Sequence, residues 1–450
     1  MSHTLQHDSA ADARVLNDPQ MSPRLPLLVQ RLVPVVWIVG LISLAVNMYQ
    51  GFDHAQHSFL LDVGVFRDAG RALLDGNPLY SDDFPTRSGF RFIYPPFAAL
   101  LFAPLAWLPE GLMEWLWTLG TFAAVFGVIA MATYRAGLGR GVDAPASVQE
   151  KASILTRGTW WIWALALTGC AISLEPITSH VMYGQINIFL VLLVTADVLG
   201  FMPRKVRGLG IGIAAGIKIT PAAYALIFLV RKDWWSLARS AGFFLVTAVI
   251  GFAVRAQDSW YFWTVEFFNP DRGGAPPYVR NQALTGLLSR GGMNEDLAHT
   301  IMGPGFLVFA VLSVIGAWKL ERAGRPVDSL LLVVLGIVVA SPLAVTHHWA
   351  GVVLMFVLLF RPLNKWVLGA LVLSIVAHFF GWYTIYGDEY SDALDLQGLV
   401  FPEYFLANAQ GITGVLLFFA LFFTALKTPS QVGPRDSAHS ERSISPTTSA

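Results

Sequence analysis

Twelve apolar stretches recur along this chain of 450 residues, at 32–50, 94–108, 112–134, 159–175, 185–200, 208–230, 237–254, 304–320, 329–345, 348–361, 366–386 and 408–426. A helix needs about 20 apolar residues to cross a bilayer, and many of these runs approach that length. With 55% of residues hydrophobic and 13% charged, a water-soluble fold is excluded. The chain is expected to be an all-α polytopic membrane protein. Two runs look broken. Segment 94–108 holds Pro95, Pro96 and Pro104, and 208–230 holds Lys218 and Pro221 near its middle. Irregular backbone at that depth is tolerated only where it is buried or lines a wet cavity. Both are expected to be re-entrant, 94–108 entering from outside and 208–230 from the cytoplasm; the alternative, in which both span fully, places two basic loops outside.

Formal net charge is zero, so nothing points to nucleic acid. The single cysteine, Cys170, rules out an intrachain disulfide. Residues 1–24 lack the basic start and apolar core of a signal peptide. Lysine and arginine concentrate in the short loops 135–158, 201–207 and 231–239, near 319–325, and at Arg361 and Lys365. The positive-inside rule makes these cytoplasmic. Loop 387–407 is acidic, with no lysine or arginine, and should face outward. The expected layout is a cytoplasmic tail at 1–31, a membrane domain at 32–427 with outer loops 51–93 and 255–303, and a disordered cytoplasmic tail at 428–450.

The longest polar interruption between the early segments is Ser58 to Phe97. Counted from Asp53, it carries Asp53, Asp62, Asp68, Asp75, Asp82 and Asp83, with Arg67, Arg71, Arg87 and Arg91. Residues 62–75 read as an amphipathic helix that should lie on the membrane surface, closed by Gly76-Asn77-Pro78. Asp62 falls at its start. The helix dipole favours an ionised carboxylate there, so Asp62 is either a general base or a plain helix cap. Asp68 has Arg67 and Arg71 beside it and is expected to form a surface ion pair.

Lys218, inside an apolar segment, either snorkels to an interface or has an anionic partner, and with no carboxylate in the segment a phosphate suits it. His347 and His348 near the end of a span read either as an interfacial polar cluster beside Trp349 or as hydrogen-bond donors to a phosphate or sugar. Glu175, His180, Gln185 and Asn187 crowd one segment end like the lip of a polar cavity. The run WYFWTVEFF in loop 255–303 reads as a flap over a lipid substrate or as plain loop. No nucleotide-cradling glycine loop, zinc-spaced cluster or serine-hydrolase elbow is present.

Several short motifs follow one another: Asp62-x-x-Val65-Phe66, Asp75-Gly76-Asn77-Pro78-Leu79-Tyr80, Tyr94-Pro95-Pro96-Phe97, Gly184-Gln185-Ile186-Asn187, Lys218-Ile219-Thr220-Pro221, and Ser341-Pro342 ahead of His347-His348-Trp349. In that order, over residues 58 to about 350, the chain resembles glycosyltransferase family 87. It departs at Phe66, where tyrosine is usual, and at Ala350-Gly351, where bulkier residues are expected.

The resemblance implies a GT-C-type bundle of roughly 10–12 membrane helices with an amphipathic helix in its first outer loop. It implies a polyprenyl-phosphate-mannose donor, a lipoglycan acceptor, and inverting α-transfer on the outer face of the plasma membrane. Asp62 matches the general base. Lys218, His347, His348, Gln185, Asn187 and Tyr94 are assigned to the donor phosphate and substrate, with no metal and no cofactor. The partners are then the lipid-borne donor, the acceptor and membrane lipids. Two rival readings are an arabinofuranosyltransferase using the same mechanism and a secondary transporter, whose broken helices would look similar.

Overall fold

The computed structural model describes residues 27–81, 84, 86–138, 159–269, 274–382 and 396–429. The polar tails, most of loop 135–158, and Asp82, Asp83, Asp388, Glu389, Asp392 and Asp395 lie outside the described residues. Each of the twelve apolar stretches contains helix among the described residues, which hold no strand beyond one isolated bridge, Asn281 to Val345. Among them, five helices are long and apolar enough to cross a membrane, or six if one bent pair counts as a single span.

The long helices are α1 (Leu27–His57), α4 (Glu110–Arg135), α10 (Trp234–Val254), α13 (Glu295–Arg322) and α18 (Ala409–Lys427). The bent pair is α5 (Trp160–Ile172) and α6 (Glu175–Tyr183), which meet at 78°. That bend went unforeseen in the sequence; Pro176 in the first turn of α6 marks it. The amphipathic helix of the first polar loop is α2 (Leu61–Asp75), which buries Val63 to Phe66, Ala69, Gly70 and Ala72 and is ended by Gly76 at φ +78° as its motif requires. The shorter elements are α3 (Pro96–Phe102, continued as a 3-10 turn to Trp107), α7 (Asn187–Val198), α8 (Leu209–Ile217), α9 (Leu226–Val230), α11 (Ala256–Thr264) and α12 (Leu284–Arg290). After them come α14 (Pro326–Ala340), α15 (Leu354–Leu359, preceded by a 3-10 run from Thr346), α16 (Lys365–Phe379) and α17 (Glu403–Ala407).

Side-chain bonds gather the basic loops at one end of the bundle. Arg231 binds Glu321 at 2.8 Å and the Val198 carbonyl, while Arg239 donates to the carbonyl of Arg207. Arg325 and Arg361 both bind Asp328 at the start of α14. From there α14 rises to the other end, where Asn281 bridges Val345. Helix α10 makes the same journey, since Arg255 at its far end binds the carbonyl of Asn77. Residues 207–208 and 231, at the two edges of segment 208–230, both lie at the basic end. The segment therefore goes in, breaks at Lys218 and returns. Segment 94–108 likewise starts and finishes against the first polar loop, where Arg67 and Arg71 donate to the carbonyls of Leu108 and Ala106.

Small residues let these helices approach closely. A Cβ on Gly40 of α1 would sit 2.2 Å from the Ala166 carbonyl oxygen of α5, and Ser43 and Asn47 add hydrogen bonds to Gly169 and Ser173. The far face of α1 exposes Val35, Ile38, Val39, Ile42 and Val46, as expected of a surface that meets lipid. Helix α14 is buried from Val327 to Ala340 and forms the centre of the bundle. Gly351 packs on it: a Cβ there would come within 2.8 Å of Val334, which accounts for the glycine at 351.

Candidate active site

Asp62 does not cap its helix. The cap position is Leu60, with extended backbone and no side-chain capping bond; its N–H donates to Glu114 Oε1 at 2.9 Å. The Asp62 carboxylate instead takes a hydrogen bond from the Gln185 side chain. Gly184 makes that bond possible. It sits at φ +67° as the C-cap of α6, and a Cβ there would meet Val63 at 2.7 Å. Only glycine lets the turn after α6 come this close to α2, and the next residue is then delivered to Asp62.

Burial pushes the Asp62 carboxyl up to about 7, against the lowering influence of Gln185, Lys218 and Arg280. This corrects the expectation of a firmly ionised acid: desolvation outweighs the helix start and the nearby cations. The group titrates near neutrality, where a general base is most effective.

Lys218 ends α8 in extended conformation, at φ −146° and ψ 129°. Its Nζ donates to Asn187 Oδ1 at 2.9 Å and lies 3.0 Å from His348 Nε2. Facing an ammonium, that imidazole nitrogen is the acceptor. Asn187 Nδ2 donates in turn to Gln185 Oε1 at 3.2 Å, which leaves the Gln185 amide N–H for Asp62. One polar chain thus runs Asp62–Gln185–Asn187–Lys218–His348, assembled from four separate stretches of sequence. The Tyr94 ring lies 5.8 Å from Nζ, within cation–π range, and its own carbonyl accepts from Tyr80 Oη. Phe66 stacks on Phe102 and meets the Tyr94 ring edge-on at 5.3 Å, so it packs behind the site.

His347 and His348 touch ring to ring at 4.8 Å, and His347 also faces Tyr183 at 6.4 Å. They do not form an interfacial cluster with Trp349, which is fully buried and donates to the Ala344 carbonyl. All seven site residues expected from the sequence therefore converge. Asp62, Lys218, His347 and His348 keep some accessible surface, whereas Gln185, Asn187 and Tyr94 are buried behind them. Glu175 and His180 do not form a lip. Both are buried: Glu175 bonds Ser179 and Gln410, and His180 Nε2 accepts from the Ile188 N–H. Among the described residues, no group of three or more His, Cys, Asp or Glu is arranged to hold a metal ion.

Arg280 was missed. Loop 255–303 drew attention for its aromatics, which turn out to be α11 and a 3-10 turn rather than plain loop. Arg280 is 3% exposed and donates to Tyr183 Oη at 2.6 Å and to Ser179 Oγ at 3.1 Å, with Glu175 at 3.7 Å. The signal in the sequence was three polar residues, Arg280-Asn281-Gln282, immediately before an apolar helix. Asp68, in contrast, is not in the expected side-chain pair. It accepts from the Arg87 backbone N–H, while Arg67 and Arg71 turn to Glu110 and backbone carbonyls.

The model of glycosyltransferase family 87 matches residues 92–345. A polyprenol-phosphate-mannose-dependent alpha-(1-2)-phosphatidylinositol mannoside mannosyltransferase of Mycolicibacterium smegmatis is 34% identical over 338 residues, covering 68% of this chain and 72% of the relative. The protein of the same description from Mycobacterium tuberculosis is 31% identical, covering 70% and 73%. A Mycolicibacterium smegmatis enzyme described as acting on phosphatidylinositol pentamannoside is 31% identical, covering 78% and 80%. No solved structure matches. A motif set that folds into one polar cluster, and relatives that span most of its length, lead to one statement of kinship: the chain belongs to glycosyltransferase family 87.

Proposed function

We propose that this protein transfers mannose from polyprenyl-phosphate-mannose to a phosphatidylinositol-anchored mannoside, with inversion, forming an α-(1→2) link. The observation that carries this reading is one continuous polar chain that joins the Asp62 carboxyl through Gln185 and Asn187 to Lys218 and His348, with His347 in ring contact beside it. Relatives described with this donor and this class of acceptor supply the sugar and the lipid.

In the proposed reaction Asp62 removes the proton of the acceptor hydroxyl as its oxygen attacks C1 of the mannosyl group from the face opposite the phosphate. The C1–O bond breaks, and the electron pair leaves with the polyprenyl phosphate. That phosphate goes from a diester with one negative charge to a monoester that tends toward two. Lys218, with His347 beside it, stands ready to offset the developing charge, which is where preorganised cations and donors accelerate a reaction most. One base and one anion cradle suffice for single-displacement inversion.

The reaction is assigned to the outer face of the plasma membrane, with the basic end of the bundle in the cytoplasm. The lysine and arginine asymmetry supports this. A site facing outward has no access to cytoplasmic sugar nucleotides, so a lipid-borne donor fits. Lys205→Cys in a Cys170→Ser background should resist impermeant thiol reagents in intact cells; ready labelling would reverse the orientation.

The enzymatic test uses membrane vesicles carrying the protein, labelled polyprenyl-phosphate-mannose, and phosphatidylinositol mannosides as acceptors. An α-(1→2)-mannosylated lipid is the expected product. Transfer from a polyprenyl-phosphate-arabinose donor alone would replace the mannosyl reading with the arabinosyl one.

A further inference from the structure

We infer that Arg280, from the second polar loop, is a positioning residue for Asp62: it pins Tyr183 and Ser179 on α6 and so holds the Gly184-Gln185 turn that grips the carboxylate. The inference rests on the reading of Asp62 as the base.

The argument begins with what holds Gln185 in place. Gln185 follows the C-cap of a nine-residue helix, and the turn at Gly184 is pressed against Val63 of α2 and Leu60 at its cap. Its position is set by the last turn of α6. That turn is anchored from the side by Arg280 through Tyr183 Oη at 2.6 Å and Ser179 Oγ at 3.1 Å. Tyr183 stands two residues before Gln185 in the chain. Arg280 itself is fixed in charge and place by Glu175 at 3.7 Å, and Glu175 accepts from Gln410 of α18 at 2.9 Å.

The loop that carries Arg280 is secured independently. Asn281 Oδ1 accepts from the N–H groups of Ala283 and Ala344, and Gln282 bonds the Ala407 carbonyl and the Gly411 N–H. Arg290 closes the loop on Asn408 and on the carbonyls of Tyr278 and Asn281. Arg280 therefore delivers the register of this loop to the gripping turn. Being buried, it does not reach substrate.

Its charge works in the same direction. The polar and charged groups that act on Asp62 are Gln185, which follows α6, Tyr94 ahead of α3, Lys218 at the end of α8, and Arg280. The Gln185 hydrogen bond, and after it the cations Lys218 and Arg280, favour its ionised form against burial. Loss of Arg280 removes one of those two cations and loosens the amide donor, so the Asp62 carboxyl should hold its proton to higher pH.

The test is the titration of Asp62 in purified full-length protein, read by infrared difference spectroscopy of the carboxyl band. Asp62→Asn identifies the band. Arg280→Gln should move the midpoint upward by about one pH unit. The acid limb of the transfer rate should move with it, while activity above that limb recovers. Arg280→Lys keeps the charge without the planar fork, and should return most of the midpoint shift but only part of the maximal rate. An unmoved midpoint in both variants would overturn the inference and leave Asp62 as base untouched. Near-normal transfer by Asp62→Asn would remove the base reading itself and this inference with it. Should Arg280→Gln fail to fold, the split between midpoint and rate in Arg280→Lys decides: a wild-type midpoint together with a wild-type rate overturns it.

Discussion

Two regions of this protein set an acid among cations, and they do so in opposite ways. At the basic end, Asp328 is fully enclosed, and Arg325 and Arg361 each bind one of its carboxylate oxygens directly. At the other end, Asp62 takes its hydrogen bond from an amide, and the cations stand back. Lys218 is already engaged with Asn187 and His348, and Arg280 with Tyr183, Ser179 and Glu175. An acid saturated by guanidinium groups joins α14 to the end of α15. An acid held by an amide among distant cations can still gain and lose a proton.

The sharpest way to break this comparison is to neutralise each acid in turn. Asp62→Asn keeps size and polarity but cannot take a proton. We predict a loss of transfer of about 10²–10⁴-fold, the usual worth of a general base. The wild-type rate should fall with acidity through about 7, following the Asp62 carboxyl. The stability sign runs the other way. A carboxyl raised in the folded state stabilises below its unfolded value and loses that contribution as pH rises through the folded one. Asp62→Asn should therefore melt no lower than wild type at pH 8. A large drop in melting temperature there would make Asp62 a structural acid after all.

Asp328→Asn should do the reverse. It leaves two guanidinium groups facing one neutral amide, and breaking a buried pair typically costs about 3–5 kcal/mol. The expected result is a lowered melting temperature in detergent and reduced yield, with an unchanged KM in whatever folds. A variant as stable as wild type would show that the arginines find other partners and that the contrast with Asp62 is weaker than drawn.

Much of this was legible in the sequence, for identifiable reasons. Lengths of apolar runs set the helices, because a bilayer fixes how long such runs must be. Lys218 stood out because a cation in an apolar run demands an explanation, and Gly76 because a helix needs a left-handed stop. The protonation of Asp62 was not legible, since desolvation depends on residues more than a hundred positions away. Nor was the role of Gly184, whose necessity comes from the approach of Val63. Arg280 stayed hidden because its one local signal, the polar run Arg280-Asn281-Gln282 ahead of an apolar helix, does not say which distant residues the arginine docks against. The Asp68 pair failed for a related reason: Arg67 and Arg71 had better partners across the loop, in Glu110 and the carbonyls of segment 94–108.

Lys218 tests whether the cations near Asp62 serve the reaction or merely hold the site together. Lys218→Met removes the charge and the bonds to Asn187 and His348. Loss of one preorganised donor to developing charge typically lowers turnover about 10²–10³-fold. We predict a loss in that range, with the protein still folded by its elution profile and melting curve. Lys218→Arg should recover little, because a planar fork does not fit the point between Asn187 Oδ1 and His348 Nε2. Unchanged kinetics for both donor and acceptor would separate Lys218 from the phosphate.

The smallest effect is expected at Asp68, and it sharpens the comparison because Asp68 shares a helix with Asp62. Six residues separate them, about 1.7 turns, so they face different neighbours. Burial raises the Asp68 carboxyl as well, with the Arg87 N–H, Arg67 and Arg71 pulling it back down. A shifted carboxyl is therefore not what singles out Asp62. The difference is surroundings. Asp62 lies on the polar chain that ends at Lys218 and His348, while Asp68 holds the strap at Arg87, whose side chain returns to Glu110. Asp68→Asn preserves an acceptor for the Arg87 N–H, so the strap should stay. We predict transfer within about threefold of wild type, since a substitution on a half-exposed face that keeps its hydrogen bond is usually worth within about 0.5 kcal/mol. Kinetics of the two asparagine variants, made side by side in one membrane preparation, check this. If only Asp68→Asn is inactive, the base belongs on the opposite face of the helix and the polar chain through Gln185 serves architecture alone.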